Sequence, residues 1–367
     1  VRGGPPRLSA VREGQASGLT PKSGVIRHPR QERVSFLDVS RFNLDAVTRW
    51  QLSLLAASAL VAAGVSAVPS GSSPTVRLAS EGNPLAGQTF YVDPISVAMR
   101  AAKNASPPSP ELNTIANTPQ AYWIDEAFPA ATVDNTVGRY AGAAQAAGAL
   151  PIVAVYAIPH RDCGSFAAGG FGSAAGYRQW IDAIAAGVGG MPAVFILEPD
   201  ALAMADCLSP DQQQERFDLI SYAVDTLTAN PAAVVYVDGG HSRWVSVDVL
   251  ASRLNQVGVE RARGFSLNTA NFYTTEEQIG YGEAVSGLTN GAHYVIDTSR
   301  NGAGPIENDP LNWCNPGGRA LGVAPTTNTA GPHADAYLWV KRPGESDGAC
   351  DPGEAHAGQF IHEYAVE

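Results

Sequence analysis

Residues 193–200 read AVFILEPD, and the way this stretch begins and ends decides the fold. Its first five residues are apolar with no polar alternation, the pattern of a strand covered on both faces in a parallel sheet flanked by helices. Pro199 ends the run, with an acid on either side of it. Working outward, similar apolar runs stand at Ile152–Tyr156, Val234–Val237, Gly264–Leu267, Tyr294–Ile296 and Ala336–Val340, and a further strand is expected at Phe90–Val92. Between them Tyr177, Trp180, Ile181, Ile184 and Val188 recur at helical spacing, as do Phe217, Ile220, Val224 and Leu227. Ser209-Pro210 reads as a helix start with Asn230-Pro231 as its stop, and Thr274-x-x-Glu277 reads as a capping box. Repeated strand, loop and helix predict an α/β fold whose parallel sheet closes into a barrel.

The 367 residues are 45% hydrophobic and 16% charged, enough for a large core and too apolar for disorder. A net charge of −11 argues against nucleic acid and anionic membrane surfaces as partners, since both need clustered Lys and Arg. Residues 52–67 form an uncharged apolar run of signal-peptide length, preceded by Arg49 and ending in a small-x-small site at Val65-Ser66-Ala67. Export is therefore expected, with a signal peptide over 47–67 and a mature start near Val68. The Arg-, Pro- and Gly-rich residues 1–46 are expected to be non-native or disordered, the alternative being that the apolar run is a helix of a folded N-terminal part. Residues 68–83 read as a Ser/Pro/Gly-rich linker and 84–367 as one catalytic domain.

Four aspartates follow apolar runs: Asp162 in AVYAIPHRDCG, Asp200 in VFILEPDAL, Asp238 in VVYVDGGHS and Asp347 in KRPGESDGAC. Acids beyond rigid strand ends can be aimed at one substrate, and glycoside cleavage needs two carboxyl groups of unequal proton affinity. Asp200 is the first candidate donor, with a helix N-cap as its alternative. Asp162 could pair with the adjacent Arg161 instead, and the turns around Asp238 and Asp347 could account for those two. Trp123, Trp244 and Trp313 stand beside polar residues and off the periodic stripes, as rings that stack on sugar faces do. His241, Asn268, Asn271, Lys341 and Glu345 could supply hydrogen bonds to hydroxyls. Four cysteines fit two disulfides in an exported protein, and chain order favours Cys163–Cys207 with Cys314–Cys350. No zinc-ligand spacing is present, and neither a metal nor a cofactor is expected.

The segments VYAIPHRDCG (155–164), ILEPD (196–200), YVDGGHSRW (236–244), IDTSRNGAGP (296–305), WCNPGGRALG (313–322) and LWVKRPGESDG (338–348) together resemble the glycoside hydrolase family 6 cellulases. The resemblance implies a distorted, TIM-like (β/α) barrel of seven parallel strands with the glucan in a cleft at the strands' C-terminal ends. It implies Asp200 as general acid, Asp162 as the residue that raises its proton affinity and organises water, and Asp347 as the position usually proposed for the base. Asp238, Tyr156, Trp123, Trp244, Trp313, His241, Asn271, Lys341 and Glu345 match glucan-contacting positions, and the family's cysteines match the pairing favoured by chain order. The expected activity is that of a secreted, monomeric, inverting endo-β-1,4-glucanase, because the region is too short for the long loops of a cellobiohydrolase. A cellobiohydrolase, a silent glucan-binding envelope protein and an enzyme for another β-glucan are the alternatives.

Overall fold

The computed structural model of the chain describes residues 82–367. The expectations for residues 1–81, including the signal peptide and most of the linker, lie outside these. Seven parallel strands form one curled sheet in chain order: β1 (Tyr122–Ile124), β2 (Ile152–Val155), β3 (Ala193–Leu197), β4 (Ala233–Asp238), β5 (Gly264–Leu267), β6 (His293–Asp297) and β7 (Ala334–Leu338). The edges β1 and β7 are not paired as a ladder. They meet at the seam, where the Ala121 amide donates to the Trp339 carbonyl at 2.9 Å and Trp123 Nε1 donates to the Val340 carbonyl at 2.8 Å. The expected barrel is thus a distorted one, laced at its seam.

The unbroken apolar runs have two faces to fill, and alternate residues fill them. Ile152, Ala154, Val194, Ile196, Val234, Tyr236, Val295, Ala336 and Leu338 pack together inside the barrel with Leu85, Phe90 and Leu150. Val153, Val155, Phe195, Leu197, Val235, Val237, Phe265 and Leu267 face the surrounding helices. The helical stripes complete that outer layer: Tyr177 to Val188 lie on α4 (Ala174–Val188) and Phe217 to Leu227 on α5 (Pro210–Thr228), all buried. The start of α5 carries the expected Ser209 cap and Pro210, with Gln212 completing a capping box. At α7 (Thr275–Leu288) only half the expected box forms. Thr274 accepts the Glu277 amide, whereas the Glu277 carboxylate turns to Ser242 and Arg243.

Two strand expectations are corrected. Phe90–Val92 is no strand, because only Phe90 bridges to Leu150 while its ring enters the barrel. The first strand is Tyr122–Ile124, three residues whose burial does not alternate cleanly, so Trp123 belongs to the sheet and not to a loop. At the other edge the ladder ends at Leu338, two residues before the expected Val340, since the Val340 amide turns to Asp297.

Helix α3 (Val133–Ala146) crosses α4 at glycine against glycine. A Cβ on Gly187 would stand 2.2 Å from the Asp134 carbonyl oxygen, and one on Gly138 would stand 2.8 Å from the Gly187 oxygen. Gly142, one turn on in α3, has nothing within 4 Å of such a Cβ. Gly187→Ala should therefore cost about 1–3 kcal/mol in a urea melt, as overpacking does. Gly142→Ala should gain about 0.5–1 kcal/mol by restricting the unfolded chain.

Candidate active site

Every polar feature of the barrel's upper face is set by how the chain leaves a strand. A parallel strand that stops presents amides with no ladder partner, and buried amides need acceptors. Asp238 is the last residue of β4 and still pairs in register with Ser266 of β5. Fully buried, it accepts the backbone amides of Asp200 and Gly240, each at 2.9 Å, and the hydroxyls of Ser266 at 2.7 Å and Thr269 at 2.6 Å. Asp297, the last residue of β6, accepts the amides of Ala270, Ser299, Val340 and Lys341 at 2.8–3.2 Å. Asn268 is likewise buried, bonded to Tyr273 and to the Asp297 carbonyl. Asp238 and Asn268 thus form the frame below the cleft; neither lies on its wall, where Asp238 was expected to bind substrate and Asn268 to meet hydroxyls.

The other three acids stand beyond the ladders and face a cavity of about 650 Å³. Asp200 follows β3 by three residues in a left-handed conformation (φ 69°), and no protein donor among the described residues bonds its carboxyl group. Burial, then the charges of Asp238 and Asp162, push that carboxyl well above the usual carboxylate range, against the opposing pull of Lys341. The shift favours the protonated form, which is what a general acid requires.

Asp162 lies on a tight turn reached through His160 (φ 58°) and continued by Cys163 (φ 48°). A non-glycine residue held left-handed costs about 1–2 kcal/mol. The turn is held by the Cys163–Cys207 disulfide and by the Ala167 amide, which donates to the Asp162 carboxylate at 2.6 Å. Burial raises its proton affinity too, against the Ala167 amide and the charge of Arg161. The alternative of a salt bridge to Arg161 is not realised. Arg161 pairs with Glu126 at 2.5 Å and lies over the Tyr156 ring, 4.5 Å from its centre.

Asp347 has the opposite environment. Burial alone would raise its proton affinity, but Arg300 and Lys341 together hold its carboxyl below the usual range. Arg300 binds both oxygens at 2.9 Å, Lys341 Nζ stands at 3.4 Å, and the Asn315 amide donates at 3.1 Å. The Cys314–Cys350 disulfide joins the segments that carry Asn315 and Asp347, so both disulfides pair as chain order favoured.

Trp123, Tyr156, His241, Trp244, Asn271, Trp313, Lys341 and Glu345 all line the same cavity as the three acids. Trp123 meets Tyr156 edge-on at 5.3 Å, and His241 lies between Tyr273 and Trp244 at 4.3 and 5.1 Å. Burial lowers the His241 imidazole to about 4, so it is neutral there. Phe166, from the Asp162 turn, touches Trp313 with ring centres 5.6 Å apart. Sequence reasoning passed over Phe166, Tyr273, Glu198, Asp297 and Arg300. Glu198, Asp297 and Arg300 stood inside quoted motifs, and Phe166 is an aromatic residue among polar and small neighbours, the signal that marks the tryptophans, whereas Tyr273 follows Phe272 and lacks it.

The family model described as Glycosyl hydrolases family 6 matches residues 83–367. Endoglucanase A of Cellulomonas fimi is 49% identical over 280 residues, 76% of this chain and 60% of that protein, so the chain spans less than two thirds of that relative. A probable 1,4-beta-D-glucan cellobiohydrolase C of Aspergillus terreus is 32% identical over 77% of this chain and 71% of its own length. The solved structure of the endoglucanase Cel6 from Mycobacterium tuberculosis, in complex with methyl-cellobiosyl-4-deoxy-4-thio-β-D-cellobioside, is 70% identical with a TM-score of 0.77, covering 78% of this chain and 97% of that one. A match over nearly all the described residues means that the chain belongs to glycosyl hydrolases family 6.

Proposed function

We propose that the protein is an exported, monomeric endo-β-1,4-glucanase that cleaves internal bonds of cellulose or a related β-glucan with inversion. The observation that carries this reading is the contrast between two acids on one cavity: Asp200, buried near Asp238 and Asp162 with no donor among the described residues on its carboxyl group, and Asp347, bound through both oxygens by Arg300. Aromatic rings along the same wall suit the apolar faces of glucose units. The endo reading is supported by the identities, since the relatives named endoglucanase stand at 49% and 70% and the one named cellobiohydrolase at 32%. Export rests on the apolar run over residues 52–67, and the monomer on the sequence reading alone.

In this mechanism Asp200 protonates the departing oxygen while water attacks the opposite face of the sugar. Proton removal from that water falls to Asp162. An acceptor tied bidentately to arginine is a weak base, and Asp347 is tied in that way, whereas the Asp162 carboxylate takes a single protein hydrogen bond. Asp347 then serves as the fixed negative charge of the site, favouring the cationic character that develops on the sugar. Neutral His241 and Asn271 are left to bind hydroxyls.

Asp200→Asn should lower kcat on carboxymethylcellulose by about 10²–10⁴-fold with little change in KM, the size of a lost general acid; undiminished release of reducing ends by this variant rejects the assignment. Activity needs Asp200 protonated, so it is present below that group's pKa and lost as pH rises through it. Asp162→Asn removes a neighbouring negative charge and should move this alkaline limb to lower pH, besides lowering kcat. Proton NMR of the first product released from cellohexaose should show the α-anomer; a β-anomer would rule out inversion.

A further inference from the structure

Glu198 and Arg216 take no part in the chemistry above, yet both are buried and both act on one short turn. Residues 157–160 carry the chain from β2 towards Asp162. Glu198, the first residue after β3, accepts the Ala157 amide at 3.1 and 3.0 Å and the Ile158 amide at 3.0 Å. Arg216, on α5, grips the same turn by its carbonyls, donating to Pro159 at 3.2 Å and His160 at 2.7 Å. Its other terminal nitrogen donates at 3.1 Å to the carbonyl of Ala201, the residue after Asp200. One side chain therefore takes successive amides of the turn and the other takes successive carbonyls, and each is anchored within two residues of Asp200.

A buried acid and a buried guanidinium are costly places to find acceptors and donors, and neutral side chains could close a turn. What the charged pair adds is short, directional, forked bonding. It is applied where the backbone is least comfortable. His160, Asp162 and Cys163 on one side and Glu198 (φ 51°) and Asp200 on the other are all left-handed without being glycine. Such conformations persist where the surroundings over-determine them.

We propose that Glu198 and Arg216 are positioning residues that set the separation of Asp162 from Asp200, and through it the proton affinity of the donor. The inference rests on the reading of Asp200 as donor. It explains why a carboxylate stands at 198 although burial raises its pKa to about 7 against the two amides, the Tyr177 hydroxyl of α4, Arg161 and Arg216. The largest charges that act on Asp200 are those of Asp238 at the end of β4, Asp162 on the β2 turn, and Lys341 and Asp347 beyond β7, with the Tyr156 hydroxyl beside it after β2. Glu198 stands two residues from Asp200, so its substitution is read beside Arg216→Lys, which leaves the charge at 198 in place: an effect on the donor common to both reports a movement of Asp162.

Glu198→Gln keeps the size of the side chain and one acceptor oxygen. On cellohexaose, kcat should fall about 10- to 100-fold, as a displacement near ~1 Å does. KM should stay within about twofold, and the alkaline limb of kcat should move to lower pH as the Asp162 charge recedes from Asp200. A folded variant with wild-type kcat and an unmoved limb overturns the proposal. Should Glu198→Gln fail to fold, Arg216→Lys, which keeps the charge and loses the fork, should give the same pattern, and wild-type behaviour there overturns the proposal equally. If the unaltered protein cleaves no glucan, the glucanase reading fails by itself. The spacing is then read from the ¹³C carboxyl titrations of Asp162 and Asp200. The Asp200 titration should move to lower pH in the variant; an unmoved one overturns the proposal.

Discussion

A strand that ends in a parallel sheet leaves amides that no neighbouring strand will accept, and the upper face of this barrel is organised by how those amides are satisfied. Three buried carboxylates do it. Glu198 takes two amides beyond β2, Asp238 takes those of Asp200 and Gly240, and Asp297 takes four from the loops after β5, β6 and β7. Each ties together loops that are distant in sequence, so the carboxylates do at the rim what the ladder does within the sheet. Bonds from backbone amides to a buried carboxylate are among the stronger hydrogen bonds available to a fold. The cleft is rigid because its floor is made of them.

This separates the acids of the site into two kinds by depth. An acid within the ladder or directly after it, as at 198, 238 and 297, is buried and accepts backbone amides, joined at Asp238 by the hydroxyls of Ser266 and Thr269. An acid further along the exit, as at 162, 200 and 347, reaches the cavity. Their proton affinities then follow from their neighbours. Burial and negative charge raise the proton affinity of Asp200, whereas Asp347 sits in the fork of Arg300 beside Lys341, and both lower its own. One motif, an apolar run ending in an acid, yields both kinds.

The same depth rule explains how far the sequence could be read. Strands β2 to β6 were legible because both faces are covered, so their interiors are apolar, with Ser266 of β5 the one polar interior residue. β1 was not, since a three-residue edge strand in AYWIDE carries too few positions to show a period. Asp200, Asp162 and Asp347 were legible as a set through their surrounding motifs. The depth of Asp238 was not legible, because a run such as AVVYVD does not say whether its acid is the last paired residue or the first unpaired one; its pairing with Ser266 decides that. Glu198 and Arg216 were hidden for a different reason. Their partners are main-chain atoms, which every residue supplies, so the motifs that contain the turn and Glu198 do not say that one holds the other.

Asp200 is held by its backbone and not by its side chain. Its amide is bonded to Asp238, its turn is closed by the Met204 amide donating to its carbonyl at 2.8 Å, and its carboxyl group meets no protein donor among the described residues. On the reading proposed above, an incoming sugar breaks no hydrogen bond within the described residues to reach that carboxyl group, and the acid needs no rearrangement of protein partners to meet it.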